Sequence, residues 1–163
     1  MEEARNLKIL AFDQATAITG WAVFTDGYLQ RYGKINLKNE PLDTNARHLE
    51  MMRRIGAMIS EIMPDKVILE GVYLGKSAAS LIVATQIQGA AMAYCLENGV
   101  DFEIITPKEW RNGLKFPSKA KRPVLKKMAQ DLVMRSYEMK VTQDEADAIC
   151  IGLFAMQKYR KGA

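Results

Sequence analysis

The chain has 163 residues, 48% of them hydrophobic, and a formal net charge of +4. That length supports one fully formed core and leaves little for a second, so residues 1–163 are expected to form a single domain. No apolar run approaches the ~20 residues that span a bilayer, and residues 1–6 are too acidic and polar for a secretory signal, so a cytoplasmic protein without a membrane anchor is expected. Cys95 and Cys150 lie in apolar helical context without C-x-x-C spacing, which favours buried thiols over a disulfide or metal site.

Residues 7–12 form a short apolar run that ends at Asp13, and a Thr/Ala-containing turn leads to a second run at 20–24. Asp26-Gly27 is a hairpin signal into residues 28–35, so the first third reads as three antiparallel strands. Leu49, Met52, Ile55, Ile59 and Ile62 recur at three- and four-residue spacing, which predicts an amphipathic helix closed by Pro64. Residues 66–69 form a continuous apolar strand of the kind covered on both faces, and Glu70 ends it. Residues 77–97 are a long helix rich in small side chains, stopped by Asn98-Gly99. A fifth strand is expected at 101–105, a short helix from Pro107, and another helix over 124–137. Thr142-Gln143-Asp144-Glu145 fits a capping box for a final helix running to about Lys158. This order predicts an α/β fold: a mixed five-stranded sheet, three antiparallel strands then two parallel, flanked by helices.

In such a sheet the first and fourth strands lie side by side, and their carboxyl-terminal ends open on one edge, where ligands of open α/β sheets bind. Asp13 and Glu70 occupy those ends. Asp144 and Asp147, three residues apart, share a face of the last helix. Singly, Asp13 suits a turn, Glu70 a solvated strand end and Asp144 a helix start. Asp147 lies beyond the first turn, between Ala146 and Ala148-Ile149, where capping does not explain it. Grouped carboxylates lose hydration and repel, so protons or cations must compensate them, and oxygen ligands favour Mg²⁺, with Mn²⁺ as a substitute, over zinc. Lys108, Arg111, Lys115, Lys119, Lys121, Arg122, Lys126 and Lys127 form a basic strip opposed by Glu109 alone, which suits a polyanion. Trp110 and Phe116 interleave with that strip and are candidates for stacking on opened bases. His48, among charged neighbours, reads as a solvated helix position.

At these residues the sequence resembles the RuvC-type Holliday-junction resolvases of the RNase H-like superfamily. Residues 13–23, DQATAITGWAV, are similar to the family's opening strand end, turn and Thr-Gly-aromatic second strand. Ile68-Leu69-Glu70-Gly71-Val72-Tyr73 resembles the strand-end Glu followed by an aromatic presented to the junction, and Asp144-Glu145-Ala146-Asp147-Ala148 the closing D-x-x-D-A. Gln14-Ala15 stands where bacterial members usually have Pro-Gly, a departure compatible with a divergent branch such as a phage-type enzyme.

The resemblance implies an RNase H-like nuclease domain and an endodeoxyribonuclease that resolves Holliday junctions by paired symmetric nicks, leaving 5′-phosphate and 3′-hydroxyl ends. It implies Asp13, Glu70, Asp144 and Asp147 as catalytic metal ligands, with two ions per site. Tyr73, Arg111, Lys115, Lys119 and Lys121 are the expected DNA contacts, and Arg111 and Lys121 fall near the scissile phosphate. Two nicks in a two-fold junction call for a homodimer, with the helix over 77–97 as candidate interface. A broader fork or flap nuclease and a non-cleaving junction-binding protein remain alternatives. A fragment of an actin-like ATPase is disfavoured because neither acidic strand is followed by a Gly-rich phosphate loop.

Overall fold

A computed structural model describes residues 6–73, 75 and 77–161. Ten elements follow in order: β1 (Lys8–Asp13), β2 (Ile18–Thr25), β3 (Tyr28–Asn36), α1 (Thr44–Ile62), β4 (Lys66–Glu70), α2 (Ala78–Glu97), β5 (Asp101–Ile105), α3 (Pro107–Gly113), α4 (Arg122–Tyr137) and α5 (Gln143–Lys161). The sheet order is β3-β2-β1-β4-β5, with β1–β2 and β2–β3 antiparallel and β1–β4 and β4–β5 parallel. The expected mixed sheet is therefore present.

β1 lies at the centre, and its apolar run alternates between two cores. Ile9 and Ala11 face a cluster with Trp110, Phe116, Ala129 and the α5 residues Ala146, Ala148 and Ile149. Leu10 and Phe12 face a second cluster with Met51, Ile55 and Ile59 of α1 and Ile87, Ala91 and Cys95 of α2. Two covered faces explain why β1 and β4 read as continuous apolar runs rather than alternating ones. Both cysteines are buried free thiols, and burial pushes Cys95 up to about 11 and raises Cys150 further.

Local chemistry sets the element ends. Asp26 and Gly27 both have positive φ, 53° and 84°, as the tight β2–β3 turn requires. Asp43 caps α1, Ser77 caps α2, and Thr106 with Glu109 makes a reciprocal capping box on α3. The predicted box on α5 also forms: Glu145 N–H donates to Thr142 Oγ1 and Thr142 N–H to Glu145 Oε2. α4 begins two residues earlier than expected, with Pro123 inside its first turn. At its far end α5 is tied to β5, where Lys158 and Tyr159 bind Glu103.

α1 departs from expectation at one position. Ile55 and Ile59 are buried and Met52 and Ile62 pack against the core, as their spacing predicts, but Leu49 is 58% exposed and Met51 is buried instead. A stretch of 3.6-residue period accommodates either phase, and packing on α2 selects one. α2 is long and apolar enough, by length and composition, to cross a bilayer. No uninterrupted apolar run of that length occurs, because Ser80, Thr85, Gln86 and Gln88 break it; α2 is apolar enough on average because those four residues are uncharged. Ile87, Ala91 and Cys95 are its buried residues, so α2 leaves much of its apolar surface uncovered.

Candidate active site

Strand parity places the first two carboxylates. Side chains alternate along a strand, so Asp13 projects to the same face as Ile9 and Ala11, and Glu70 to the same face as Ile68. Both therefore point toward the layer of α3, α4 and α5. The parallel register, ending at Phe12 opposite Leu69, sets the two acids side by side at the carboxyl-terminal edge of the sheet.

Gly20 brings the third and fourth. It pairs with Asp13 across the β1–β2 ladder, and a Cβ built on it would lie 1.9 Å from the carbonyl oxygen of Asp144. Only glycine lets the start of α5 come down onto β2 this closely. Asp144 and Asp147 then stand one turn apart beside Asp13. Because Thr142 and Glu145 complete the cap, neither aspartate is needed for it.

The four carboxylates, all partly buried, sit within electrostatic reach of one another. Burial, then the charges of Glu70, Asp147 and Asp144, hold the Asp13 carboxyl well above the usual range, with Lys126 opposing. Burial and the Glu70 charge raise Asp147 to about 7 against Arg111 and Lys126. Glu70 is raised by burial and eased by a hydrogen bond from Trp110 and by Arg111 and Arg122. Among the described residues no three acidic, histidine or cysteine side chains converge closely enough to hold an ion as they stand. Uncompensated like charges favour such separation, and Glu70 Oε2 accepts the Trp110 indole N–H at 2.8 Å. The donor chemistry nonetheless fits a hard divalent cation: oxygen-only ligands, mutually destabilised and lacking enough local positive charge.

A sequence profile of the family "Crossover junction endodeoxyribonuclease RuvC" matches residues 9–154, which include all four carboxylates. The chain belongs to the RuvC family. A crossover junction endodeoxyribonuclease RuvC of Caldicellulosiruptor saccharolyticus is 22% identical over 152 residues, covering 90% of each sequence. The structure of Thermus thermophilus RuvC in complex with a Holliday junction substrate superposes with a TM-score of 0.73 at 16% identity, covering 96% of both chains. A Fowlpox virus resolvase in complex with Holliday junction DNA gives 0.65 at 16% identity, covering 94% of this chain and 99% of that one.

In this RuvC-family chain the basic strip divides. Trp110 is 1% exposed and packs edge-on against Phe116 at 5.7 Å between ring centroids, so both belong to the core. The expectation that they stack on bases is corrected: their apolar mass fills the layer under α4. Arg111 lies over the Trp110 ring at 5.0 Å and acts on Glu70 and Asp147. Lys115, Lys119 and Lys121 are exposed, and the cations that act on the carboxylates from α4 are Arg122 and Lys126. Their four-residue spacing puts those two on one helix face, the signal in the sequence that pairs them. Tyr73 is 65% exposed. It borders a groove of about 310 Å³ that reaches Gln14, Glu70 and Arg122, and another of about 420 Å³ lined by Lys108, Arg111 and Asn112.

Proposed function

We propose that this chain is a metal-dependent structure-selective endodeoxyribonuclease that resolves Holliday junctions by paired nicks, leaving 5′-phosphate and 3′-hydroxyl ends. The observation that carries the reading is the carboxylate group at the ends of β1 and β4 and the start of α5, with Arg111, Arg122 and Lys126 acting on it. The names of the C. saccharolyticus relative and of the two junction complexes support the substrate class. The reading covers residues 1–163 as one nuclease domain acting in the cytoplasm.

Asp13, Glu70, Asp144 and Asp147 would hold the metal, Mg²⁺ with Mn²⁺ as a substitute and two ions per site. Bound there, the ions supply Lewis acidity for phosphodiester hydrolysis. Asp13, on β1 between β2 and β4, would hold the metal from the centre of this set. Arg111, Arg122 and Lys126 offset phosphate charge as the strand enters, and Lys115, Lys119 and Lys121 extend the track along the duplex arm. Tyr73, exposed on the groove that reaches Glu70 and Arg122, would stack on a base opened at the branch point.

A two-fold substrate calls for two sites, and α2 supports a homodimer. Ile82, Gln86, Gly89, Ala93 and Leu96 are exposed and follow a seven-residue repeat along one face. A Cβ on Gly89 would meet no atom within 4 Å, so the middle of that stripe is flat enough for close approach of a second α2.

The test is cleavage of labelled four-way junction, fork and linear duplex with and without Mg²⁺, beside Asp13→Asn. Symmetric junction nicks that need the metal and vanish with the substitution are expected. Equal cutting of the fork would establish the broader branched-DNA nuclease instead, and tight junction binding without cutting by the unsubstituted protein would establish a binding module.

A further inference from the structure

Glu70 is gripped from two directions. Gln14 Nε2 donates to the Glu70 carbonyl oxygen at 2.5 Å, and the Glu70 N–H donates to Gln14 Oε1 at 3.0 Å. A side-chain primary amide offers the same donor and acceptor pair as a peptide group. The parallel ladder between β1 and β4 ends at Phe12 and Leu69, because beyond Asp13 the main chain turns away into a loop closed by Thr19, whose hydroxyl accepts from Ala15 N–H and donates to Ala15 O. The Gln14 side chain stands in for the missing strand and carries the ladder one step further, onto the residue bearing the carboxylate. On the other side, Trp110 Nε1 donates to Glu70 Oε2 at 2.8 Å from a ring locked in the core.

We propose that Gln14 is a positioning residue for Glu70: it fastens the Glu70 main chain to the end of β1 so that the carboxylate is presented to the metal at a fixed place beside Asp13. This rests on the reading of Glu70 as a metal ligand. The amide supplies by hydrogen bonding a restraint on β4 that an apolar side chain at this position has no donor or acceptor to make. Gln14 also borders two grooves with Arg122, so a direct contact with DNA is the competing role. The two roles separate kinetically. A positioning residue changes metal affinity and kcat, whereas a DNA contact changes KM.

The experiment uses Trp21→Phe as background, which leaves Trp110 as the remaining one of the two tryptophans and a reporter bonded directly to Glu70. Quenching of its emission by Mn²⁺ gives the metal midpoint without any turnover. Gln14→Met keeps the length of the side chain and removes both bonds. The expected result is a midpoint raised about tenfold and a kcat lowered by about ten- to a hundredfold, with KM for the junction unchanged. Amide hydrogen exchange on the unsubstituted protein gives a second measurement that needs no variant: the Glu70 amide should be protected like those of Ile68 and Leu69. Exchange at Glu70 as fast as in an open loop would overturn the proposal. So would a Gln14→Met protein with the parent's Mn²⁺ midpoint and kcat, or one in which only KM rises. A parent protein with no saturable Mn²⁺ response and no metal-dependent cutting would overturn the metal reading itself, a result distinct from a binding, cutting parent beside an indifferent Gln14→Met.

Discussion

Asp147→Asn is expected to abolish cleavage while making the metal-free protein more stable at neutral and alkaline pH. The Asp147 carboxyl is raised from 3.8 to about 7 because it is partly buried and faces Glu70. A raised acid favours the folded state when protonated, so its contribution is complete below pH 3.8 and is lost as pH rises through about 7. At about 1.4 kcal/mol per pH unit the rise caps the ionisation penalty at about 4 kcal/mol. Partial solvent access and adjustment of the neighbouring charges reduce the expected difference to about 1–3 kcal/mol. Asparagine has nearly the same shape and never ionises, so it escapes this penalty. Urea unfolding in EDTA at pH 4, 6 and 8 measures the gap between the two proteins, which should be near zero at pH 4 and widest at pH 8. Saturating Mg²⁺ should then raise the stability of the unsubstituted protein by about 2–3 kcal/mol at a hundredfold excess over Kd, and that of Asp147→Asn by less. A gap that stays constant with pH, or a variant less stable at pH 8, would refute the claim that the acid cluster strains the metal-free fold.

Gly20→Ala should displace the start of α5, because its Cβ would sit 1.9 Å from the Asp144 carbonyl. A stability loss of about 1–3 kcal/mol and a large drop in kcat are expected, read by thermal unfolding and junction cleavage. Trp110→Phe keeps the ring in the core and removes the donor to Glu70. Glu70 then ionises less readily, so the acid limb of the pH–rate profile should move to higher pH, and an unmoved limb would exclude the Trp110 bond from tuning the site. Ile82 is 55% exposed and Leu96 72% exposed on the uncovered α2 stripe. Ile82→Asp should shift sedimentation from dimer to monomer and leave monomer stability within about 0.5 kcal/mol; an unchanged dimer would move the interface elsewhere.

Much of this molecule was legible in its sequence because the controlling interactions are local. The unbroken apolar runs before Asp13 and Glu70, the Asp26-Gly27 turn, the Asn98-Gly99 stop and the Thr142–Glu145 box each act within a few residues, and the elements they bound form within about two residues of the pattern. The four acids were visible for a related reason, since strand ends and one helix turn bring few enough arrangements to consider. What the pattern could not decide was phase and partnership. Leu49 and Met51 lie on different faces of one helix, and only the packing of α1 on α2 chooses which is buried. Trp110 and Phe116 alternate with cations in the sequence, yet the fold turns both rings into the core and divides the cations, Lys115, Lys119 and Lys121 facing solvent and Arg111 and Lys126 acting on the carboxylates.

The carboxylate site shows the same division. Its carboxylates and their order are properties of the chain alone, as is their parity along β1 and β4. Its working environment is set across the fold, by Gly20 admitting α5, by Gln14 extending a ladder from 56 residues away, and by Arg122 and Lys126 arriving on α4. Short-range sterics and hydrogen bonding are written in neighbouring residues, whereas desolvation and charge compensation depend on which distant surfaces meet, and that is decided only when the sheet is assembled and covered.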